Sequence, residues 1–446
     1  MLMLSVIIPM LNVDKYISEC ICSVRNNTDT DMEIICIDAG STDGTLEKVI
    51  EYAKTDKRIK VIHSDRKSYG YQVNKGIMLA EGKYFAVVES DDYVDTNMYY
   101  QMISIIEKRN LDVVKCGYNY VFEKKGIQHK QQQQIFLNDF IYEKETDSKE
   151  NKDIFLCDNN IWTGIYKVDF IRKNHIFLNE TDGAAFQDIG FMIQLHVHHP
   201  KSFYIKAPFY QYRYNRAGAS TWEPKALQFA YQEIQFLFLN SYLSMDQEDF
   251  PYIYKRLSNI FVTEYEKVLR IQKYNINSEY LHKYYCGLKK IFIGSREKMC
   301  CNLQLHFLLE NEIDYAYWLQ DNDNKYEKWL KDLNESVGNR TIIIAGAGAR
   351  GKNAFFSCEK LDIMIDAFCD NDKVVCGSCF WNIKIISVQK ACQNFPNDCY
   401  LIASKKYAKE IKEQLLGLGI RMNQLVNFEP YRVLAWGKTK ENESNK

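Results

Sequence analysis

The stretch Gly82-Lys83-Tyr84-Phe85-Ala86-Val87-Val88-Glu89-Ser90-Asp91-Asp92-Tyr93 decides how the chain is read. Tyr84 to Val88 is an unbroken apolar and aromatic run, the pattern of a strand buried on both faces of a mostly parallel sheet. Glu89, Asp91 and Asp92 follow where that strand emerges, and ligand sites of open α/β sheets lie just beyond the carboxyl ends of their strands. Carboxylates crowded there repel one another unless a cation or a ribose hydroxyl lies between them. A solvated acidic turn, capping a helix that starts near Asp95, is the alternative reading of the same residues.

The residues before this stretch alternate in a regular way. Residues 4–9 form an apolar strand, and Ile17, Ile21 and Val24 then recur at helical spacing, with Asn12 or Asp14 as the N-cap. Residues 33–38 form a second strand, which ends in Asp38-Ala39-Gly40-Ser41-Thr42-Asp43-Gly44-Thr45, a loop rich in turn formers. Leu46, Val49, Ile50 and Ala53 mark the next helix, residues 59–63 a third strand, and Val73, Ile77 and Ala80 a third helix. This rhythm predicts a doubly wound, mostly parallel α/β sheet of the nucleotide-binding kind. No glycine-rich loop follows the first strand, which excludes a P-loop and a dinucleotide fingerprint at that point. Diphosphate charge would instead have to be met by a metal held at the acidic strand end, the physical case for a nucleotide-sugar site.

Ser5-Val6-Ile7-Ile8-Pro9-Met10-Leu11-Asn12, Ile37-Asp38-Ala39-Gly40-Ser41-Thr42-Asp43-Gly44-Thr45, Asn74-Lys75-Gly76 with Ala80-Glu81-Gly82-Lys83-Tyr84, and Glu89-Ser90-Asp91-Asp92 occur in that order. Together they resemble the successive motifs of family 2 glycosyltransferases of the GT-A fold, clearly over residues 4–120 and more thinly to 222. The resemblance implies that Asp91, in the last position of the family's DxD, binds a divalent metal (Mn or Mg) on the diphosphate, with Asp92 beside it as the second metal candidate. It places Glu89 in the first DxD position near the ribose, and Pro9 and Asp38 at the base. Asn12 and Ser90 complete the nucleotide-binding set. Glu89 replaces the usual first Asp of the motif, Ala39 stands where a second Asp often meets the base, and Leu11 replaces a frequent Tyr. UDP is the default nucleotide.

From Asp95 a helix carrying Met98, Met102, Ile105 and Ile106 leads to a strand-like segment at 112–121. Residues 123–153 are polar, hold Gln131 to Gln134, and read as a mobile surface excursion. Farther on, Gly183-Ala184-Ala185-Phe186-Gln187-Asp188-Ile189-Gly190-Phe191 sets a single acid at the head of an apolar helix. An acid there is favoured by the helix dipole alone. In the family this location carries an acidic pair that supplies the catalytic base. Gln187 fills the first slot, so the resemblance leaves Asp188 as the base of an inverting transfer. His196, His198 and His199 form a possible metal cluster, although histidines at a helix end are more often structural. Residues 210–222 resemble the family's closing segment, where Arg213 or Arg216 could reach phosphate.

Residues 225–335 show helical stripes, Leu227, Ala230, Ile234 and Leu237 in one and Leu257, Phe261, Tyr265 and Val268 in another. After Gly338 the composition changes. A strand at 341–345 runs into Gly346-Ala347-Gly348-Ala349-Arg350-Gly351, then a helix, a strand at 363–368 and Asp370. GxGxxG in this setting predicts a C-terminal Rossmann-like nucleotide-binding module in which Gly346, Gly348, Gly351 and Asp370 contact the ligand. The expected domains are 1–222, a GT-A domain; 223–337, a helical region; and 338–446, the Rossmann-like module.

The 446 residues carry 57 basic and 58 acidic side chains for a net charge of −1, with no long basic run, which argues against a nucleic-acid partner. No stretch approaches the roughly 18 apolar residues of a membrane span. Residues 1–11 lack a basic leader and read as a strand, so a cytoplasmic protein is expected, with its 14 cysteines mostly reduced and peripheral contact at the inner membrane face left open. The CxxC at Cys376 and Cys379 lacks the second pair a structural zinc requires. The expected activity is transfer of a sugar from a nucleotide sugar to a glycan or lipid-linked acceptor in surface polysaccharide assembly. A nucleotidyltransferase would want a glycine- and lysine-rich loop at residues 10–15. A non-catalytic nucleotide-sugar sensor would not need both Asp91 and Asp188.

Overall fold

The computed structural model describes residues 2–124, 127–136, 139–214, 226–243, 248–292, 303–381 and 383–429. They belong to two compact units, Met1–Glu312 and Ile313–Lys446. The first begins β1 (Leu4–Met10), α1 (Asp14–Arg25), β2 (Met32–Asp38), α2 (Thr45–Thr55), β3 (Ile59–His63), α3 (Tyr69–Leu79), β4 (Tyr84–Val87). Every residue of β1, β2 and β4 is buried, as apolar runs covered on both faces require. β1 pairs in parallel with both β2 and β4, and β2 with β3, giving the order β3-β2-β1-β4. The polar residues inside these strands satisfy one another: the Ser5 hydroxyl donates to Glu33 Oε1 at 2.5 Å, and Lys60 lies 2.8 Å from Glu33 Oε2.

The unit continues with β5 (Tyr93–Val94), α4 (Met98–Arg109), β6 (Val113–Lys124), β7 (Ile127–Gln133), β8 (Glu145–Thr146), α5 (Asp153–Cys157), β9 (Gly164–Lys167), α6 (Val168–Lys173), α7 (Gln187–Val197) and β10 (Ser202–Arg213). β9 joins β4 to β6 by antiparallel pairing on both sides, β10 runs parallel to β6, and β5 closes the order as an antiparallel edge. The sheet is therefore α/β and mostly parallel, as expected. The polar segment after residue 123 is a correction to the sequence reading. Gln131 to Gln133 lie in β7, paired along β6, because an edge strand exposed on one side tolerates polar side chains that composition alone assigns to a loop.

Lys115 of β6 is fully buried and donates to Asp158 and to the carbonyl of Asn160. Tyr204 adds a hydrogen bond to Asp158 at 3.0 Å. Burial pushes the Asp158 carboxyl up, but the Lys115 charge and the hydrogen bond from His196 outweigh it and hold the group at about 2. This cluster fixes the segment 158–163 that leads into β9. The first unit ends in α8 (Ala226–Leu239), α9 (Phe250–Ile271), α10 (Glu279–Phe292) and α11 (Leu303–Glu310), and α12 (Glu312–Val337) opens the second unit.

The second unit contains β11 (Ile342–Ala345), α13 (Ala349–Lys360), β12 (Ile365–Asp370), β13 (Cys379–Phe380), β14 (Ile383–Ser387), α14 (Val388–Asn394), β15 (Cys399–Ile402), α15 (Ala408–Gly417) and β16 (Leu425–Asn427). Its strand order is β13-β14-β12-β11-β15-β16, parallel except for the β13 edge, with one buried cluster on each face. No helix among the described residues is long and apolar enough to cross a membrane.

Two motif glycines have a packing reason. A Cβ on Gly76 of α3 would stand 2.5 Å from Ile7 Cγ2 of β1, and one on Gly82 would stand 2.7 Å from the Leu4 carbonyl carbon. Gly76→Ala should therefore push α3 off the sheet and cost about 1–3 kcal/mol, read as a lower midpoint in denaturant unfolding. An unchanged midpoint would show that Ile7 yields freely.

Candidate active site

The β4 strand ends at Val87, and the acids beyond it are not equivalent. Asp92 is buried; its Oδ2 accepts from the Tyr210 hydroxyl at 2.9 Å and its Oδ1 from the Arg213 backbone N–H at 2.7 Å. Burial, then repulsion from Asp91, raises its pKa well above the ordinary carboxyl value. Asp91 and Glu89 are half-exposed, and Ser90 between them is buried. Glu89 accepts a hydrogen bond from the Tyr69 hydroxyl at 2.6 Å, and its backbone N–H donates to the Tyr210 hydroxyl at 3.1 Å. Arg213 donates to the Asp91 carbonyl and to the Glu19 carboxylate, and its guanidinium lies over the rings of Tyr16 and Tyr93. Arg216 lies outside the described residues.

The neighbouring loop is held by its own acids. Asp38 is buried and accepts from Gly40 N–H at 2.9 Å, Ser41 N–H at 3.1 Å and the Ser41 hydroxyl at 2.5 Å. Asn12, with φ 52°, donates from its backbone to the Ser41 hydroxyl and accepts from Thr42 N–H. The expected cap of α1 differs from what is found. Val13 stands at the N-cap without a side-chain cap, and Asp14 N–H donates across the loop to Asp43 Oδ2 at 3.0 Å. Pro9 lies in β1 beside Ile37 of β2, directly below this loop.

Asp188 lies half-buried in the first turn of α7. The loop before it is pinned to the start of α3: Tyr69 N–H donates to the Gly183 carbonyl at 3.0 Å, and Gly183 N–H to the Lys67 carbonyl at 3.0 Å. Gln187 is buried and donates to Thr181 and to the Gly183 carbonyl, so it braces the loop. Tyr69 connects the two regions. Burial, the Glu89 charge and hydrogen bond, and then the Asp188 charge raise its pKa well above the ordinary value. Glu89 and Asp188 thus act on one phenol, although 99 positions separate them in sequence.

The three histidines do not converge. His196 faces Asp158 at 3.3 Å, while His199 meets the Ser148 hydroxyl at 2.8 Å and Asp249 at 3.6 Å. Among the described residues no group of three or more His, Cys, Asp or Glu side chains is arranged to hold a metal ion. One or two carboxylates with substrate phosphates and water is a common ligand set for magnesium, and the half-exposed Asp91 fits that role.

In the second unit Gly346 has φ +109°, and a Cβ on Gly351 would stand 1.9 Å from the Gly346 carbonyl oxygen, so both glycines are required by the turn. Gly348 faces open space. Asp370 accepts from Ala347 N–H at 2.7 Å and Asp372 N–H at 3.0 Å, so its carboxylate holds the glycine turn and the loop after β12.

Residues 5–169 match the model of glycosyl transferase family 2. Residues 338–426 match a second model, C2185-like, N-terminal. The uncharacterized glycosyltransferase EpsJ of Bacillus subtilis is 40% identical over 116 residues, 26% of this chain and 34% of that protein. The glycosyltransferase GlyG of Streptococcus pneumoniae is 27% identical over 226 residues, 49% of this chain and 72% of that protein. EpsH of Bacillus subtilis is 29% identical, and the chain spans 60% of its length. The crystal structure of S. aureus TarS 1-349 in complex with UDP-GlcNAc superposes with a TM-score of 0.56 at 17% identity, covering 72% of this chain and 92% of that one, and shows the GT-A fold.

Glu233 of α8 escaped the sequence reading. It is buried, accepts from Asn179 Nδ2 at 3.1 Å through Oε2, and its Oε1 stands where a Cβ on Gly190 would be, 1.6 Å away. Burial, relieved in part by Asn179 and reinforced by the Asp188 charge, raises its pKa well above the ordinary 4.5. Folding therefore favours protonated Glu233, and the penalty of burying it grows as pH rises from 4.5 toward the folded value. Glu233→Gln should remove that slope, so its advantage in melting temperature over the wild type should widen from pH 5 to pH 8. Parallel melting curves across this range would mean that Glu233 is ionised in the fold.

Proposed function

We propose that the chain is an inverting glycosyltransferase that moves a sugar from a nucleotide sugar, UDP-linked by default, to a glycan or lipid-linked acceptor in surface polysaccharide assembly. The observation that carries this reading is Tyr69, which is hydrogen-bonded to Glu89 while the Asp188 charge bears on it. It supports reading Glu89 as the donor-side carboxylate and Asp188 as the acceptor-side one of a single site. The UDP-GlcNAc held by TarS supports the default nucleotide.

In this reading Pro9, Asn12 and the loop held by Asp38 border the base, and Glu89 and Ser90 border the ribose. Asp91 is the ligand to a divalent ion, and Asp92 supports it from inside. A divalent ion on the diphosphate would neutralise the charge of the leaving group. Asp188 takes the proton of the acceptor hydroxyl as its oxygen bonds to the anomeric carbon, on the face opposite the departing diphosphate. The bond from that carbon to the diphosphate oxygen breaks in the same step, which inverts the centre. Domain roles follow 1–222 for this chemistry and 223–337 for a helical support. The Rossmann-like module at 338–446 binds a nucleotide at the open space beside Gly348.

Asp91→Asn should abolish the manganese dependence of UDP binding and leave the melting temperature close to wild type. Calorimetry that finds equal manganese-dependent affinity in both proteins would refute the assignment. Asp188→Asn should keep donor affinity and lower the transfer rate at least ~100-fold, the low end for loss of a general base. Turnover near wild type on the true acceptor would place the base elsewhere.

A further inference from the structure

Side chains two apart on a strand share a face, and registered residues on neighbouring strands extend it. Tyr210 and Tyr212 of β10 register against Tyr118 and Tyr120 of β6, and Tyr120 registers in turn against Gln131 of β7. The next row along the same face holds Phe122 and His129, whose rings stack at 5.4 Å, and it continues to Tyr214. Rows of this kind lie about 7 Å apart.

The first row belongs to the acid site, because the Tyr210 hydroxyl bonds both Asp92 and the Glu89 backbone. The second row lies in its field: burial, then the charges of Asp92, Asp91 and Glu89, raise the Tyr212 pKa. Trp162 stacks on Tyr212 at 5.3 Å, Tyr120 lies 5.8 Å from Tyr212, and Tyr214 lies 4.5 Å from Tyr120. Tyr120, Tyr212 and Tyr214 are half-buried: Tyr120 and Tyr212 pack against the core on one side and keep part of their surface open to solvent. The Gln131 Oε1 atom, beside Tyr120, is buried and has no hydrogen-bond partner among the described residues. Such an oxygen asks for a donor from a ligand.

We propose that this face of β6, β7 and β10 is the acceptor subsite and that it takes a neutral saccharide of at least two rings. The negative faces of the aromatic rings attract the C–H groups on the apolar side of a sugar, and the glutamine oxygen accepts from a sugar hydroxyl. The three rows carry no lysine or arginine, which disfavours an acceptor recognised through phosphate. The inference rests on the donor reading above, since it is the acid site that makes this face the adjoining one.

The test uses the full chain and saturation-transfer NMR with cellobiose, lactose, maltose and chitobiose, with farnesyl phosphate as the phosphate-bearing comparison and UDP binding with manganese as the control. The wild type should bind at least one disaccharide in preference to farnesyl phosphate. Tyr120→Ala and, separately, Gln131→Leu should weaken that binding about tenfold, the scale of one lost aromatic or hydrogen-bond contact. UDP binding should persist in both variants, which also verifies folding. No disaccharide binding, preference for farnesyl phosphate, or wild-type affinity in both variants overturns the subsite. Disaccharide binding that responds to both variants in a chain that never binds UDP overturns the donor reading and retains the saccharide platform.

Discussion

Asp92 is the constraint around which the site is built. A carboxylate buried this fully is costly unless hydrogen bonds replace water, and both of its acceptors are filled from β10, by the Tyr210 hydroxyl and the Arg213 backbone. Those bonds tie the exit of β4 to a strand 118 residues farther on. Once they form, Tyr210 also reaches the Glu89 backbone and Arg213 reaches the Asp91 carbonyl, so the geometry of the whole acidic turn is fixed from β10. Loss of that support would free the turn that carries Glu89 and Asp91, the residues assigned to ribose and metal.

The nearer half of this arrangement was legible in the sequence. Continuous apolar runs gave β1, β2 and β4, and the glycines at 76 and 82 mark helix–sheet and strand contacts with no room for a Cβ. The separate duties of Asp91 and Asp92 were not legible. Adjacent residues on an exit turn look alike until one sees which of them a strand from the far side has captured. Tyr69 and Glu233 were invisible for the same reason, since each draws its importance from Glu89 or Asp188, and no local periodicity encodes a partner that distant. The polar run in β7 was misread because one-sided pairing leaves little apolar signature.

Asp38 and Asp370 show how a motif residue can be present and already occupied. Asp38 accepts three hydrogen bonds from residues two and three positions on, an arrangement that holds the turn above β2. Asp370 does the same for the glycine turn above β11 through Ala347 N–H. In both places the acid shapes the backbone that a nucleotide would meet. The spacing of the motif is preserved because the turn requires it, whatever the ligand.

Glu233 presents the opposite case, an acid that the fold does not need. Its burial weighs against stability at neutral pH, and Asn179 compensates only one of its oxygens. A glutamine or leucine of similar size would pack beside Gly190 at lower cost. Burial first, and then the Asp188 charge, raise the Glu233 pKa, so the acid of α8 and the acid at the head of α7 are electrostatically coupled. A neutral Glu233 is therefore the form that avoids a second buried charge beside Asp188, and the cost of that burial falls on the ionised form alone.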